Sequence, residues 1–374
     1  MKFVNKMFDS AKNSNDSKPR IKDIAKLAGV SPGTVDRVIH ERGHVADDKR
    51  KKIEAIIKQQ NYQPNPVARS LALKNELRIV ACIPAFERGE YWHYIYTGIE
   101  KARKEMSAYK VMIDYIFFNQ FDKNSFLNAA QAVLTTQPSA VIFAPVFIEE
   151  SMQFARKMER KKIPFVLIDS NLEDVNSITY YGQHSRKSGY LVAKLLFDRL
   201  PEKTTILLTH SLRRGTQGSN QAVNREKGFM AYVEEQGLHK KYNLVRLDLH
   251  ADNKEESHRN FQAIIRRNPR ISGAVIFSSR VHRLLQIFEQ LEVKGVRVIG
   301  YDELPRNVKA LKNQEVAYLI AQRPEMQGYL CVKDLCKELI FRQKVHRVNY
   351  IPVDILTKEN VDEYIQFNQR LNKQ

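Results

Sequence analysis

Arg20-Ile21-Lys22-Asp23-Ile24-Ala25-Lys26-Leu27-Ala28-Gly29-Val30-Ser31, followed directly by Pro32-Gly33-Thr34-Val35-Asp36-Arg37-Val38-Ile39-His40, reads as two short helices about a sharp turn. Ile21, Ile24, Ala25, Leu27 and Ala28 recur at helical spacing and predict one buried stripe. Gly29 supplies the positive φ that ends a helix, Ser31 is a good N-cap, and Pro32 suits the first helical position. The second helix would bury Val35, Val38 and Ile39. Two helices joined this way form a helix-turn-helix, whose second helix enters the DNA major groove. A third helix is expected from about Asp47 to Gln60, with Asp47 and Asp48 at its start and Lys58 near its end, matching the helix dipole. Ile53, Ile56 and Ile57 then close a three-helix core.

Behind it stands Asn61-Tyr62-Gln63-Pro64-Asn65-Pro66-Val67-Ala68-Arg69-Ser70-Leu71-Ala72-Leu73. Together the two stretches resemble the headpiece and hinge of the lactose-repressor (LacI) family. The family pattern D-h-A-x-x-A-G-V-S-x-x-T-V-x-R-V stands at Asp23 to Val38, and N-Y-x-P-N-x-x-A-R-S-L at Asn61 to Leu71. The resemblance implies a transcription regulator that grips double-stranded operator DNA as a homodimer. By position Lys22, Ser31, Thr34 and Asn65 would contact phosphates. His44 matches a backbone-contact position and equally suits an ordinary loop. Pro32 and Gly33 occupy the two main specificity positions, yet neither carries a base-reading side chain. Asp36 replaces the usual Ser and His40 the usual Asn, which changes the operator expected but not DNA binding. Arg37, opposite the Val35/Val38/Ile39 stripe, can donate a bidentate pair to guanine O6 and N7, the plainer alternative being a solvated surface arginine.

In the family the hinge folds only on DNA, and its leucine wedges between base pairs in the minor groove. Leu71 takes that place, with interdomain packing as the alternative. Unstacking costs roughly a few kcal/mol and is offset by the contacts that bent DNA allows. Ala68 is small enough to let the backbone approach the groove floor, while Pro64 and Pro66 keep the third helix from running on. A hinge this short cannot hold itself folded, which implies two packed side by side.

The chain has 374 residues, enough for a small headpiece and a larger two-lobed body. A net charge of +19 suggests a polyanionic partner. Residues 1–77 hold 16 Lys/Arg against 9 Asp/Glu, leaving +12 for the rest, so the body is basic too and charge alone identifies nothing. Cys82, Cys331 and Cys336 lack metal or redox spacing and read as packed thiols. No apolar run approaches a membrane span and no signal-peptide core opens the chain, which points to the cytoplasm, on the nucleoid when DNA-bound.

From Leu77 short apolar strands alternate with amphipathic helices. Strands are expected at 78–83, 111–118, 140–144, 165–168, 205–208, 245–249, 274–277, 298–300 and 318–321, with helices between them. Such alternation means parallel sheets covered on both faces, here in two lobes with any ligand in the crevice between them. The expected fold is therefore a small all-α helix-turn-helix headpiece plus an α/β, two-lobed, periplasmic-binding-protein-like body. Its expected divisions are a disordered leader (1–19), the headpiece (20–63), a hinge (64–76), the effector-binding and dimerisation domain (77–357) and a tail (358–374).

The body resembles the sugar-binding fold that the family uses to sense an effector, most clearly at Ile299 to Glu303, Val223 to Phe229 and Ile320 to Gly328. A small carbohydrate or sugar derivative is the effector this implies. Phe86 and Trp92, in the loop after the first strand, would stack on sugar C–H faces. Asp169 and Asp302 end strands, Arg225 opens a helix and Gln322 lies in an interlobe crossover, and all four match ligand-contact positions. Ser279-Arg280 replaces the usual Asn-Asp, and an inward Arg280 would favour an anionic ligand, a surface arginine being the plainer reading. No catalytic constellation, phosphate-cradling loop or metal spacing is present in the sequence, so neither an enzyme nor a cofactor is expected. The competing reading is a soluble sugar-binding receptor without sequence-specific DNA function.

Overall fold

The computed structural model describes residues 19–39, 43–60, 62, 76–212, 219–250 and 253–371. The chain divides into two compact units, the first comprising residues 1–73 with 339–343 and the second the remainder.

The first unit holds α1 (Ile21–Ala28), α2 (Pro32–Ile39) and α3 (Asp47–Gln59). Gly29 has φ 71°, and the Val30 N–H donates to the Ala25 carbonyl (3.0 Å), closing α1 as the sequence predicts. Ile24, Ala25, Ala28, Val35, Val38, Val45 and Ile53 form the core, with Ile39, Ile56 and Ile57 partly buried against it. Leu27 corrects the predicted stripe, being 55% exposed. At about 100° per residue, 21, 24, 25 and 28 share one face and position 27 falls beyond its edge.

The second unit opens with β1 (Leu77–Pro84), α4 (Tyr91–Glu105), β2 (Val111–Phe118), α5 (Lys123–Thr135), β3 (Ala140–Phe143), α6 (Ile148–Arg160), β4 (Phe165–Asp169) and β5 (Tyr180–Gly182). The chain then builds α7 (Ser185–Phe197), β6 (Thr205–Leu212), α8 (Asn220–Glu235), β7 (Asn243–His250), α9 (Lys254–Arg267), β8 (Ile271–Ile276), α10 (Val281–Gln290), β9 (Arg297–Tyr301), α11 (Pro305–Lys312) and β10 (Tyr318–Ala321). It closes with α12 (Pro324–Leu339), β11 (Val348–Tyr350), β12 (Asp354–Leu356) and α13 (Val361–Leu371).

Two six-stranded sheets result, ordered β11-β5-β4-β3-β1-β2 and β12-β10-β9-β8-β6-β7. Within each, the strands are parallel except for the antiparallel β12. In both, the first strand sits between the second and third, so the order reverses there and a crevice opens beyond the strand C-termini. Chain segments change sheet after β5, after β10 and between β11 and β12, which places Gln183 and Gln322 in the crossovers.

The nine expected strands are present, and β5, β11 and β12 add three that the sequence reading missed. The expected tail is also corrected. Val361 is fully buried, and Tyr364 and Ile365 pack on the core of the second sheet, so α13 belongs to the body. The leader, but for Pro19, and the expected hinge up to residue 75 lie outside the described residues.

Candidate functional site

The headpiece presents α2 outward. Ser31 Oγ accepts from the Thr34 N–H (3.2 Å) and lies 3.0 Å from Thr34 Oγ1, so the predicted N-cap is made. Arg37 Nε donates to the Gly33 carbonyl (3.3 Å), while its side chain stays exposed on the face opposite Val35 and Val38. Lys22, Ser31, Pro32, Gly33 and His44 are exposed; Thr34 and Asp36 are half-buried. His40, Asn65, Ala68 and Leu71 lie outside the described residues.

In the body a cavity of about 250 Å³ lies between the lobes, and it gathers Trp92, Asp169, Arg225, Asp302 and Gln322 from five separate stretches of the chain. Asp169 and Asp302 are the last residue of β4 and the first beyond β9, and both hold left-handed backbone, φ 71° and 70°. Aspartate tolerates that region better than most side chains, and the bend aims each carboxylate across the strand end. Asp169 Oδ1 accepts from Tyr91 Oη (2.6 Å) and Gln221 Nε2 (2.6 Å). Asp302 Oδ1 accepts from Gln322 Nε2 (2.8 Å), and the Gln322 main-chain carbonyl accepts from Gln327 Nε2 (2.9 Å).

Arg225 supplies the counter-charge. It is 2% exposed, its Nη1 donates to the Phe277 carbonyl (2.7 Å), and its guanidinium lies 3.7 Å from the Tyr301 ring centroid. With its amide oriented to satisfy both ends, Gln183 accepts from Arg225 Nε (2.8 Å) and donates to Ser188 Oγ (3.0 Å).

Burial dominates the carboxyls. It pushes Asp169 up to about 6, against the opposing pull of the Tyr91 hydroxyl and Arg225. Burial pushes Asp302 further, to about 8, although Arg225 and Gln322 both favour its charged form. The folded Asp302 carboxyl therefore keeps a proton that the unfolded chain, at its ordinary value of 3.8, has released. Because only the unfolded chain gains by releasing that proton between those two values, stability falls progressively as pH rises through them. The ligand-free protein should lose on the order of 4 kcal/mol relative to Asp302→Asn between pH 5 and pH 8. Urea titrations at several pH values measure the difference, and parallel stability curves would show a well-solvated carboxylate instead.

Three expectations about the crevice are corrected. Trp92 lies on α4 rather than in a loop, and its ring meets Tyr91 edge-on at 5.3 Å beside the cavity. Arg225 sits within α8, more than a turn past its start. Phe86 is not among the residues lining the cavity; it packs against His93, Tyr96 and Phe117, with centroids 5.3–5.8 Å away. Aromatic neighbours on α4 and β2 thus satisfy the ring expected to stack on a ligand. The sequence reading also missed Tyr91 and Gln221. Gln221, four residues before Arg225, faces the same way on one helix, a spacing that could have revealed it.

Comparison with known proteins follows the same two-part division. Residues 20–65 match the family model of bacterial regulatory proteins, lacI family, and residues 79–343 match a periplasmic binding protein domain. A ribose operon repressor from Lactococcus lactis is 26% identical over 292 residues, covering 76% of this chain and 81% of that protein. A crystal structure given as a LacI transcriptional regulator from Bacteroides fragilis is 35% identical with a TM-score of 0.73, covering 78% of this chain and all of that one. A glucose-galactose binding protein from Geobacillus stearothermophilus shares the fold at 20% identity and a TM-score of 0.66, covering 77% and 99% of the two chains.

Proposed function

The chain belongs to the LacI family of bacterial regulatory proteins, and from that premise we propose a ligand-switched repressor that works as a homodimer on a near-palindromic operator. One observation carries the reading. The same chain joins a helix-turn-helix with an outward Arg37 to a body whose crevice offers two carboxyl groups, a guanidinium, two carboxamides and a tryptophan. Carboxylates and a guanidinium suit bidentate bonding to vicinal hydroxyls, and an indole face suits the apolar side of a sugar ring. No helix of the described residues is long and apolar enough to cross a membrane. Such a protein acts in the cytoplasm, where its operator and effector are.

In the headpiece, Lys22, Ser31, Thr34 and Asn65 contact phosphates, and Arg37 reads a guanine. Leu71, with Ala68 beside it, enters the minor groove from the hinge. The effector crevice is Trp92, Asp169, Arg225, Asp302 and Gln322. An effector switches the protein only by binding the DNA-competent and incompetent arrangements with different affinity.

Selection from fragmented genomic DNA, followed by anisotropy titrations in rising salt, tests the first half. Specific affinity should fall steeply with ionic strength. Arg37→Gln should cost about 1–3 kcal/mol of operator affinity and relax preference at one base pair. Uniform weakening on every sequence would reassign Arg37 to the phosphates. If nothing outcompetes bulk DNA at moderate salt, the regulator reading fails.

A further inference from the structure

One end of the crevice does not fit a neutral sugar. Beyond β8 the chain runs Phe277-Ser278-Ser279-Arg280 into α10, all four residues lining the cavity. Arg280 turns inward, contrary to the surface reading, and its guanidinium lies 4.4 Å from the Phe121 ring centroid. Its Nη1 and the neighbouring Ser278 Oγ are both buried, with no hydrogen-bond partner among the described residues. Two orphaned donors at one strand end are costly unless something completes them. Arg280 is also the N-cap of the ten-residue α10, whose free N–H groups and dipole favour negative charge at the same place.

The local field has the same sign. His282, lining this end, is held below its ordinary pKa first by burial and then by Arg306, Arg283 and Arg280. Burial and Arg283 lower Arg280 itself to about 10, and Glu90 is the acidic group opposing them. The Glu90 carboxylate already accepts from the Glu87 N–H (3.1 Å). Asn307 fixes the geometry, sharing its NH₂ among the carbonyls of Ser279 (2.8 Å), Asp302 (3.0 Å) and Tyr301 (3.1 Å). It thereby ties the strand end that carries Arg280 to the one that carries Asp302.

We propose that the crevice is bipolar and takes a polyhydroxylated anion, a sugar phosphate or sugar acid, with hydroxyls on Asp169 and Asp302 and the anionic group on Arg280 and Ser278. This rests on the polyol reading of the same crevice and names the chemical class of its ligand. A guanidinium with a buried, unspent N–H presents a fork that matches phosphate and carboxylate oxygens.

Trp92 is the only tryptophan in the chain and borders the crevice, so its emission reports on this site and not on the basic headpiece. Full-length protein is titrated at constant ionic strength with inorganic phosphate against chloride. D-ribose is then compared with D-ribose 5-phosphate, and D-glucose with D-glucose 6-phosphate. Phosphate should give a saturable change that chloride does not, and an ester should bind at least about tenfold tighter than its parent. In Arg280→Gln both differences should collapse, while Arg280→Lys, which keeps the charge without the fork, recovers part of them. Because Arg280→Gln removes a largely buried cation with an unsatisfied N–H, it should unfold no earlier than wild type in the absence of ligand.

Emission that responds to phosphate as it does to chloride, or an ester preference unchanged in Arg280→Gln, overturns the proposal. Parent sugars that bind as well as their esters reject the anion end but keep the polyol reading. An Arg280-dependent phosphate signal with no response to any sugar or ester keeps the anion end and rejects the polyol reading.

Discussion

Arg225→Ala should destabilise the body by about 3–5 kcal/mol and abolish the effector response. Three contacts are lost with the guanidinium: the bonds it donates to the Phe277 carbonyl and to the Gln183 amide oxygen, and the face of Tyr301. The larger cost is what remains. Asp169 and Asp302 are both buried, and Arg225 is a positive charge that favours the ionised form of each. Asp302 is already held protonated by burial, so without Arg225 it is Asp169 that must take up a proton or draw water into the crevice, and neither restores the strand-end geometry. Arg225→Lys should recover only part of the loss, since an ammonium cannot serve two acceptors in one plane while stacking on Tyr301. Chemical denaturation measures the stability change, and Trp92 emission measures the ligand response. A loss below about 1 kcal/mol in Arg225→Ala would mean that the cluster is solvated and that Arg225 is a replaceable surface cation.

That Arg225 mattered was legible in the sequence; that it serves the framework as much as a ligand was not. Its position in the Val223 to Phe229 stretch matched a known pattern, but its partners Phe277, Gln183 and Tyr301 are scattered through the chain. The strands were readable for a physical reason. Parallel strands covered on both faces become continuous apolar runs, as in Ile79 to Ile83, where every residue is fully buried. The missed strands β5, β11 and β12 have three residues each, too few for any period, and exist because a neighbour supplies the pairing. Arg280 was ambiguous for a related reason. An arginine after a strand reads the same whether it faces in or out, and the ring that receives it, Phe121, is distant in sequence.

Gly228→Val should be as damaging as loss of Arg225, through backbone rather than charge. An added Cβ at Gly228 would stand 1.8 Å from the Arg186 carbonyl oxygen, and one at Gly189 would stand 1.8 Å from the Arg225 carbonyl oxygen. The two glycines are therefore reciprocal, each letting α7 or α8 lay its backbone directly on the other. No rotamer can relieve the clash, because the obstructing atoms belong to helical main chain. The helices must separate by more than an ångström, opening the core formed by Val192, Leu196, Phe229 and Val233 and carrying Arg225 away from both aspartates. The expected cost is about 3 kcal/mol or more, above the usual range for overpacking because packing and the charge cluster fail together. Gly295→Ala is the control: it has open space around it but φ 72°, so it should cost only about 1 kcal/mol. The other lobe uses the same device. A Cβ at Gly98 would meet the Glu325 carbonyl oxygen and one at Gly328 the Ile95 carbonyl oxygen, so α4, which carries Tyr91 and Trp92, is positioned as α8 is. Gly98→Val should then also change Trp92 emission in the absence of any ligand. If Gly228→Val and Gly98→Val both unfold within about 1 kcal/mol of wild type, the two helix pairs yield easily and backbone contact does not set the crevice geometry.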